Sequence, residues 1–264
     1  MTLLRNESTQ IKITFIFAES SLELIPEELL NHPLIIKYAL KRKKTPRTLL
    51  LDSTYHFKAL MHSKIKNKEK RGRPDIIHRM LLITLDSLLN RYGFLEIYVH
   101  TIDDRIIWVN PKVRIPRHYA RFVGLMEKLL TNRVIRVGDN PKEILLKVLP
   151  LTFEDLLKKL TPYITLGFSK KGQIIENFDA YIAEIINKVT LKNKTMLGNA
   201  RIVNIIGGFP KGSFSKRVLE KIDLLLSLSP LSLSAQYVIC RIIAAYERVL
   251  IPYTKLNNKV GKKD

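Results

Sequence analysis

The stretch from Ile202 to Ala235, IVNIIGGFPKGSFSKRVLEKIDLLLSLSPLSLSA, constrains the fold more than any other part of the chain. It reads as a buried strand (IVNII), a glycine turn, a short helix, a second apolar strand (DLLLSL) and a Ser/Pro loop that launches a last helix. Strands that end in loops of small residues present many backbone N–H and C=O groups with few side chains in the way, as a ligand held by main-chain contacts requires. Two phosphate-binding readings of the turn fail on spacing. A dinucleotide fingerprint needs G-x-G-x-x-G after a first strand, whereas Gly207-Gly208-Phe209-Pro210-Lys211-Gly212 is G-G-x-x-x-G and lies about 200 residues into the chain. A P-loop needs G-x4-G-K-[ST], but Ser213 follows the second glycine and the lysine precedes it. A glycine turn after a strand also serves as plain β-to-α punctuation, so its neighbours have to decide its role.

The charge balance supplies the first of them. Forty-five Lys and Arg against 24 Asp and Glu leave a net charge of +21, an excess that repels itself unless an anionic partner absorbs it. Nucleic acid is the natural candidate. A membrane surface would also attract cations, but no apolar run approaches the length of a span and residues 1 to 10 are short and polar, so a cytosolic protein is expected. The single cysteine, Cys240, excludes an internal disulfide and a thiolate zinc site; its place in VICRII predicts a core position, and no metal is expected. With 264 residues, 46% of them apolar, and neither repeat nor long linker, one domain over residues 1 to 264 is the expected count.

Residues 11 to 18 (IKITFIFA) alternate as a half-buried strand; short turns follow over 19 to 31, and a helix from Pro33 to Lys41. Between Lys41 and Arg73 stand twelve Lys or Arg against Asp52 and Glu69, a candidate phosphate-facing surface or, for Lys64 to Lys70, a solvated loop. Within it TLLLD (48 to 52) reads as a strand and residues 54 to 65 as a helix with Tyr55, Leu60 and Met61 partly inward. Pro74 and Asp75 open a helix with Ile76, Ile77, Met80, Leu81, Leu85 and Leu88 on its apolar face. Arg73, just before it, adds a guanidinium fork that Asp75 can hold, although Asp75 also suits plain capping. LEIYVH (95 to 100) and RIIWVN (105 to 110) form a hairpin. Pro116 then opens a helix with Arg117 and Arg121 one turn apart and Arg114 just before, near Trp108, His118 and Tyr119, a candidate RNA surface whose only local acid is Glu127. Strands over 144 to 150 and 163 to 169, helices over 152 to 160 and 178 to 189, and a last helix capped by Ser234 complete the pattern; the KLNNKVGKKD tail is expected to fray.

LLDSTYH, RGRPDIIHRMLLITLDSLLNRYGFLEIYVHT, VNPKVRIPRHYARFVGLMEKLL and IIGGFPKG, in that order over most of the chain, resemble the pseudouridine N1-methyltransferases of small-subunit ribosome biogenesis, the Nep/Emg family of the SPOUT class. The resemblance implies a parallel α/β sheet with helices on both faces, an inserted β-hairpin, a C-terminal trefoil knot over about 144 to 252, an RNA-binding basic region over about 41 to 130, and a homodimer. It further implies S-adenosyl-L-methionine held by Phe168, Gly207, Gly212, Leu228, Ser229, Pro230, Leu231, Ser232 and Leu233. RNA contacts fall on Arg73, Arg114, Arg117 and Arg121, with Arg73 and Asp75 at the reaction centre. Two positions depart from the family pattern: Pro230 stands further back from the last helix than its Pro-Leu-Ser-Ala start, and Phe168 replaces a frequent hydroxyl residue.

The implied activity is methyl transfer from S-adenosylmethionine to N1 of a pseudouridine in a small-subunit rRNA loop, driven mainly by alignment. Asp75, paired with Arg73, is expected to orient rather than to act as a base. A non-catalytic rRNA-binding assembly factor, working with other assembly factors, would use the same basic surface. A general duplex-DNA binder is disfavoured, because no helix-turn-helix or zinc pattern is present. The exposed stripe of the last helix is the expected dimer face.

Overall fold

The computed structural model describes residues 11–138, 142–193 and 200–251. Its strands β1 (Lys12–Ser20), β2 (Leu95–Thr101), β3 (Ile106–Val109), β4 (Val134–Arg136), β5 (Ile144–Leu149), β6 (Ile164–Ile174), β7 (Arg201–Gly207) and β8 (Leu224–Ser227) form one sheet, in the order β4-β5-β3-β2-β1-β7-β6-β8. The five strands β2-β1-β7-β6-β8 are all parallel. The expected hairpin is β2 and β3, and with β5 and β4 it prolongs the sheet as an antiparallel half. β1 is central and buried on both faces rather than on one, because a parallel strand flanked by helix layers has no wet side.

Side-chain alternation sorts the core into two layers. Ile13, Phe15 and Phe17 of β1, Ile97 and Val99 of β2 and Ile202 and Ile206 of β7 meet helices α3 (Pro74–Asp86), α5 (Tyr119–Asn132), α7 (Phe178–Asn193) and α9 (Ala235–Leu250). Ile16, Ala18, Ile106, Val203 and Ile205 point the other way, onto α6 (Phe153–Leu160) and α8 (Lys216–Leu219). Helices α1 (Pro33–Arg42) and α2 (Ser53–His62) close a smaller apolar cluster beside the sheet with Ile25, Leu29, Leu49 and Leu51. A four-residue α4 (Leu88–Arg91) takes its N-terminal N–H partners from the Glu247 carboxylate on α9, at 2.8 Å and 3.3 Å.

Several expectations are corrected. TLLLD is not a strand: after a 3-10 turn at Pro46–Thr48 it makes one isolated bridge, Leu24 to Leu50. Leu49 and Leu51 enter the small cluster while Leu50 enters the main core, so all three are buried without a ladder, and the Leu50 N–H donates to the Glu127 carboxylate at 3.2 Å. The strand expected to end by Ser169 runs to Ile174. Tyr55 lies outward, 54% exposed, whereas Leu60 is buried. Cys240 is exposed, since the buried face of α9 falls on Ile239, Ile242, Ile243 and Tyr246. The KLNNKVGKKD tail lies outside the described residues.

Candidate active site

The loops that leave β6, β7 and β8 at their C-terminal ends enclose a cavity of about 460 Å³. Of the expected cofactor residues, Phe168, Gly207, Gly212, Leu228, Ser229, Leu231, Ser232 and Leu233 line it, and Pro230 does not. β6 pairs with β8 as far as Phe168, opposite Leu226, and resumes pairing at Gln173, again opposite Leu226, so residues 169–172 bulge out as a wall. Ser169, Lys170 and Lys171 therefore face the cavity, along with Phe209, Phe214, Ala235 and Val238. A polar Ser-Lys-Lys-Gly run at the end of an apolar strand was the available sign of that wall.

Close backbone packing fixes the floor. Gly208 donates to the Ala18 carbonyl at 2.9 Å and accepts from the Ser21 N–H at 2.8 Å. A Cβ there would collide with Ser20 Oγ and stand 2.9 Å from the Ser20 Cα of the backbone, so a larger residue would have to push β1 aside. Gly212, at φ +106°, supplies the turn that returns the chain toward α8. Across the cavity the loop after β8 braces itself: Ser227 Oγ donates to the Ser229 carbonyl at 2.8 Å, and Ser229 Oγ accepts from the Leu231 N–H at 3.0 Å. Those bonds stiffen a loop whose proline stands away from the helix. Ser234 caps α9 as expected. The lining combines aromatic and aliphatic side chains with main chain, serines and the lysines Lys170, Lys171 and Lys211, holds no carboxylate, and suits a ligand with an apolar, planar part and polar or anionic edges.

A cationic edge stands along α3. Arg73 Nε and Nη2 donate to the two Asp75 oxygens at 2.7 Å and 2.9 Å. Arg79, one turn on, donates to the same carboxylate at 2.9 Å. Burial alone would raise the Asp75 carboxyl, but these arginines hold it below its ordinary value. The Asp75 bonds in turn raise the Arg73 guanidinium. Arg79 was missed in the sequence, although its i+4 spacing from Asp75 was there to be read. It also reaches the Gln236 amide oxygen at 3.4 Å, next to Ala235 of the cavity, so this edge and the cavity meet at the start of α9.

The segment before α5 runs beside α3, tied by a 2.7 Å hydrogen bond between His78 Nε2 and the Pro116 carbonyl. A cleft lined by Ser53, Thr54, Arg73, Asp75, His78, Arg79 and Tyr119 lies at the Arg73 end of α3. Arg114 and Arg117 line a second cleft at the Asp86 end. Helix α5 begins at Tyr119, not at Pro116, so Arg117 precedes it and only Arg121 is helical. Glu127 is no partner for them: it is buried, takes Lys44 at 2.6 Å, and leaves Arg117 to Asp86 of α3 at 3.3 Å. Arg114 and Arg121 are exposed and make no ion pair among the described residues. Tyr119 is held inward by a 2.6 Å hydrogen bond to Asp52, and Trp108 sits on the opposite sheet face with Ile106, so neither is free to stack on a base beside these arginines.

The Lys41 to Arg73 run is more structural than its charge suggests. Arg42 and Lys44 pair with Glu127, Arg47 with Glu27, Lys70 with Glu19, Arg71 with Glu23, and Arg73 with Asp75. Lys64 and Lys66 remain exposed. Among the described residues no three His, Cys, Asp or Glu side chains are grouped to hold a metal, and no helix is long and apolar enough to cross a membrane.

A mixed α/β sheet whose parallel half ends in a main-chain-rich cavity, bordered by paired arginines, has the layout of a site for a small organic ligand beside a cationic surface. The EMG1/NEP1 methyltransferase family model matches residues 15–247, and the chain belongs to that family. It is 40% identical over 240 residues to the ribosomal RNA small subunit methyltransferase Nep1 of Staphylothermus marinus, covering 90% of this chain and 96% of that one. It is 36% identical over 239 residues to the Nep1 of Pyrococcus furiosus, covering 89% and 96%. The crystal structure of Archaeoglobus fulgidus Nep1 bound to S-adenosylhomocysteine is similar with a TM-score of 0.76 and 36% identity, over 92% of this chain and all of the other.

Proposed function

We propose that this protein is an S-adenosylmethionine-dependent methyltransferase acting on N1 of a pseudouridine in a loop of small-subunit rRNA. The observation that carries the reading is the coincidence of eight of the nine cofactor positions implied by resemblance with the lining of one cavity, in a family whose Archaeoglobus member was crystallised with S-adenosylhomocysteine. The cavity fits the group: Phe168, Leu228 and Val238 offer apolar surface, and the 207–213 and 227–233 loops offer backbone donors and acceptors. Bound there, S-adenosylmethionine would supply a methyl group on cationic sulfur, an electrophile that needs little beyond alignment with a nucleophilic nitrogen.

The chain's own residues then have three tasks. Arg114, Arg117 and Arg121 grip phosphates flanking the target, which must be unstacked to be reached. Arg73, fixed by Asp75, places positive charge where the pseudouridine ring becomes anionic as its N1 proton passes to solvent water. Asp75 is a positioning residue, because two arginines keep its carboxylate a weak base. In this reading residues 1 to 264 work as one SPOUT-type unit, with the knotted part over about 144 to 252 and the basic region over about 41 to 130, as a cytoplasmic homodimer that serves ribosome assembly with other factors.

Calorimetric titration of cofactor-free protein with S-adenosylmethionine and S-adenosylhomocysteine tests the cofactor half. Micromolar binding of both is expected, and Gly207→Trp should abolish it, since even a Cβ at Gly207 meets the Phe209 ring at 2.9 Å. Folded protein that binds neither would leave only an RNA-binding assembly role. Methyl transfer to a pseudouridine hairpin, absent with the uridine counterpart, tests the substrate.

A further inference from the structure

The end of β1 carries a buried ion pair that methyl transfer, as just described, does not use. Glu19 and Lys70 are each only 6% exposed, and Lys70 Nζ stands 2.6 Å from Glu19 Oε2. Both side chains also touch the Phe209–Ser215 loop. Glu19 Oε1 accepts the Ser215 N–H at 3.0 Å. Lys70 Nζ lies 4.6 Å from the centre of the Phe209 ring, and its Cε lies 3.2 Å from where a Cβ on Gly212 would stand. Phe209 meets Phe214 edge to face at 5.8 Å, and Phe209, Gly212 and Phe214 all line the cavity. The pair itself does not line it.

The chain accepts local costs to keep this arrangement. Glu19 sits at φ +50°, a left-handed conformation that crowds a residue with a Cβ. Its N–H is held by His100 Nδ1 at 3.2 Å. A buried ion pair is expensive to desolvate, and an apolar pair of the same size is often at least as stable. Stability alone therefore does not account for this pair, whereas its contacts at both ends of one cavity loop do.

We propose that Lys70 and Glu19 are positioning residues for the cofactor, holding the Phe209–Ser215 loop in its binding shape through the Phe209 ring and the Ser215 N–H. The inference rests on the cofactor reading of the cavity. It removes Lys70 from the phosphate-facing surface and makes it a brace behind the site. The deciding variant is the double substitution Lys70→Met with Glu19→Gln, because either change alone strands a buried charge. Methionine keeps the stem against Gly212 and the ring, and the glutamine oxygen still accepts from Ser215.

Thermal melting and calorimetric titration with S-adenosylhomocysteine, parent alongside, give the test. The double variant should melt within a few degrees of the parent and bind about tenfold more weakly, the scale of a desolvated cation–π contact. Lys70→Arg, which keeps the charge over the ring, should bind within about twofold of the parent. A stable double variant with parental affinity would overturn the proposal, and one that cannot fold would overturn it too by making the pair structural. A parent that binds no S-adenosylhomocysteine would instead defeat the cofactor reading on which the proposal stands.

Discussion

Asp75 accepts hydrogen bonds from two arginines and is half-buried, and both facts bear on its task. A general base in its place would give about 10²- to 10⁴-fold in rate, and its removal would cost that much. An aligning residue costs less: Asp75→Asn should lower the single-turnover rate at saturating hairpin by at most about tenfold and weaken hairpin binding by a similar factor. A loss beyond a thousandfold in rate with unchanged RNA affinity would return the residue to the role of base. The Arg73–Asp75 pair was legible because two residues of spacing across a helix start bring fork and carboxylate together. The titration of His56 and Glu23 was not legible, because it depends on burial by distant segments. Burial pushes the His56 imidazole down to about 4, against the pull of Asp52 and Glu127, and raises the Glu23 carboxyl to about 7, against Arg71. His56 is neutral in the fold, so its contribution is present above its unfolded pKa near 6.5 and is lost as pH falls toward 4. Glu23 is the reverse: its contribution is present below its unfolded value of 4.5 and is lost as pH rises through about 7. Over roughly pH 4.5 to 6.5 the two oppose one another, and His100, which burial also lowers, acts on the His56 side. Glu23→Gln removes one arm, and urea unfolding of that variant should then show stability falling by about 1–3 kcal/mol as pH drops from 6.5 to 4.5. A flat profile in the variant would mean that His56 does not carry the charge change assigned to it.

Elements with a local start signal were readable, and those set by their neighbours were not. Thr152 and Asp155 form a reciprocal capping box, with Thr152 Oγ1 accepting the Asp155 N–H at 3.2 Å and Asp155 Oδ2 accepting the Thr152 N–H at 3.2 Å. The sequence marked this helix start only by Thr152, and Thr152→Ala should lower unfolding stability by about 1 kcal/mol without altering cofactor affinity. TLLLD misled for the opposite reason, since three consecutive leucines satisfy a buried strand equally well as a segment threaded between two apolar clusters. Pro116 misled at α5: proline suits a first helical turn, but its carbonyl is bonded to His78, and the chain bends at Arg117 and His118 before the helix starts at Tyr119. The continuation of β6 could not be read because the Ser169–Gly172 bulge hides the resumed pairing with β8. That bulge is also what supplies the cavity with a wall.

The net charge of +21 marks the molecule as a binder of anions, but six cations of the Lys41 to Arg73 run are spent on carboxylates of the same chain. Charge counted from sequence therefore overstates the RNA footprint, since partners such as Glu19 and Glu127 lie far away along the chain and are brought in by folding. A surface that grips phosphates through Arg114, Arg117 and Arg121 has three such contacts, and each phosphate neutralised on a single strand contributes about −0.7 to the slope of log affinity against log salt. The expected slope for a loop hairpin is thus about −2, whereas engagement of all twelve cations from Lys41 to Arg73 would give about −8. Arg121 is exposed and without an ion pair among the described residues, so Arg121→Ala should make the slope shallower by about one unit and weaken binding to every hairpin alike. Arg71, bound to the buried Glu23, should leave the slope unchanged when replaced together with its partner by Arg71→Met and Glu23→Gln. Filter-binding titrations between about 50 and 300 mM salt separate the two footprints. A parental slope near −8, with no effect of Arg121→Ala, would move the RNA from the α3 edge to the lysines around Lys64.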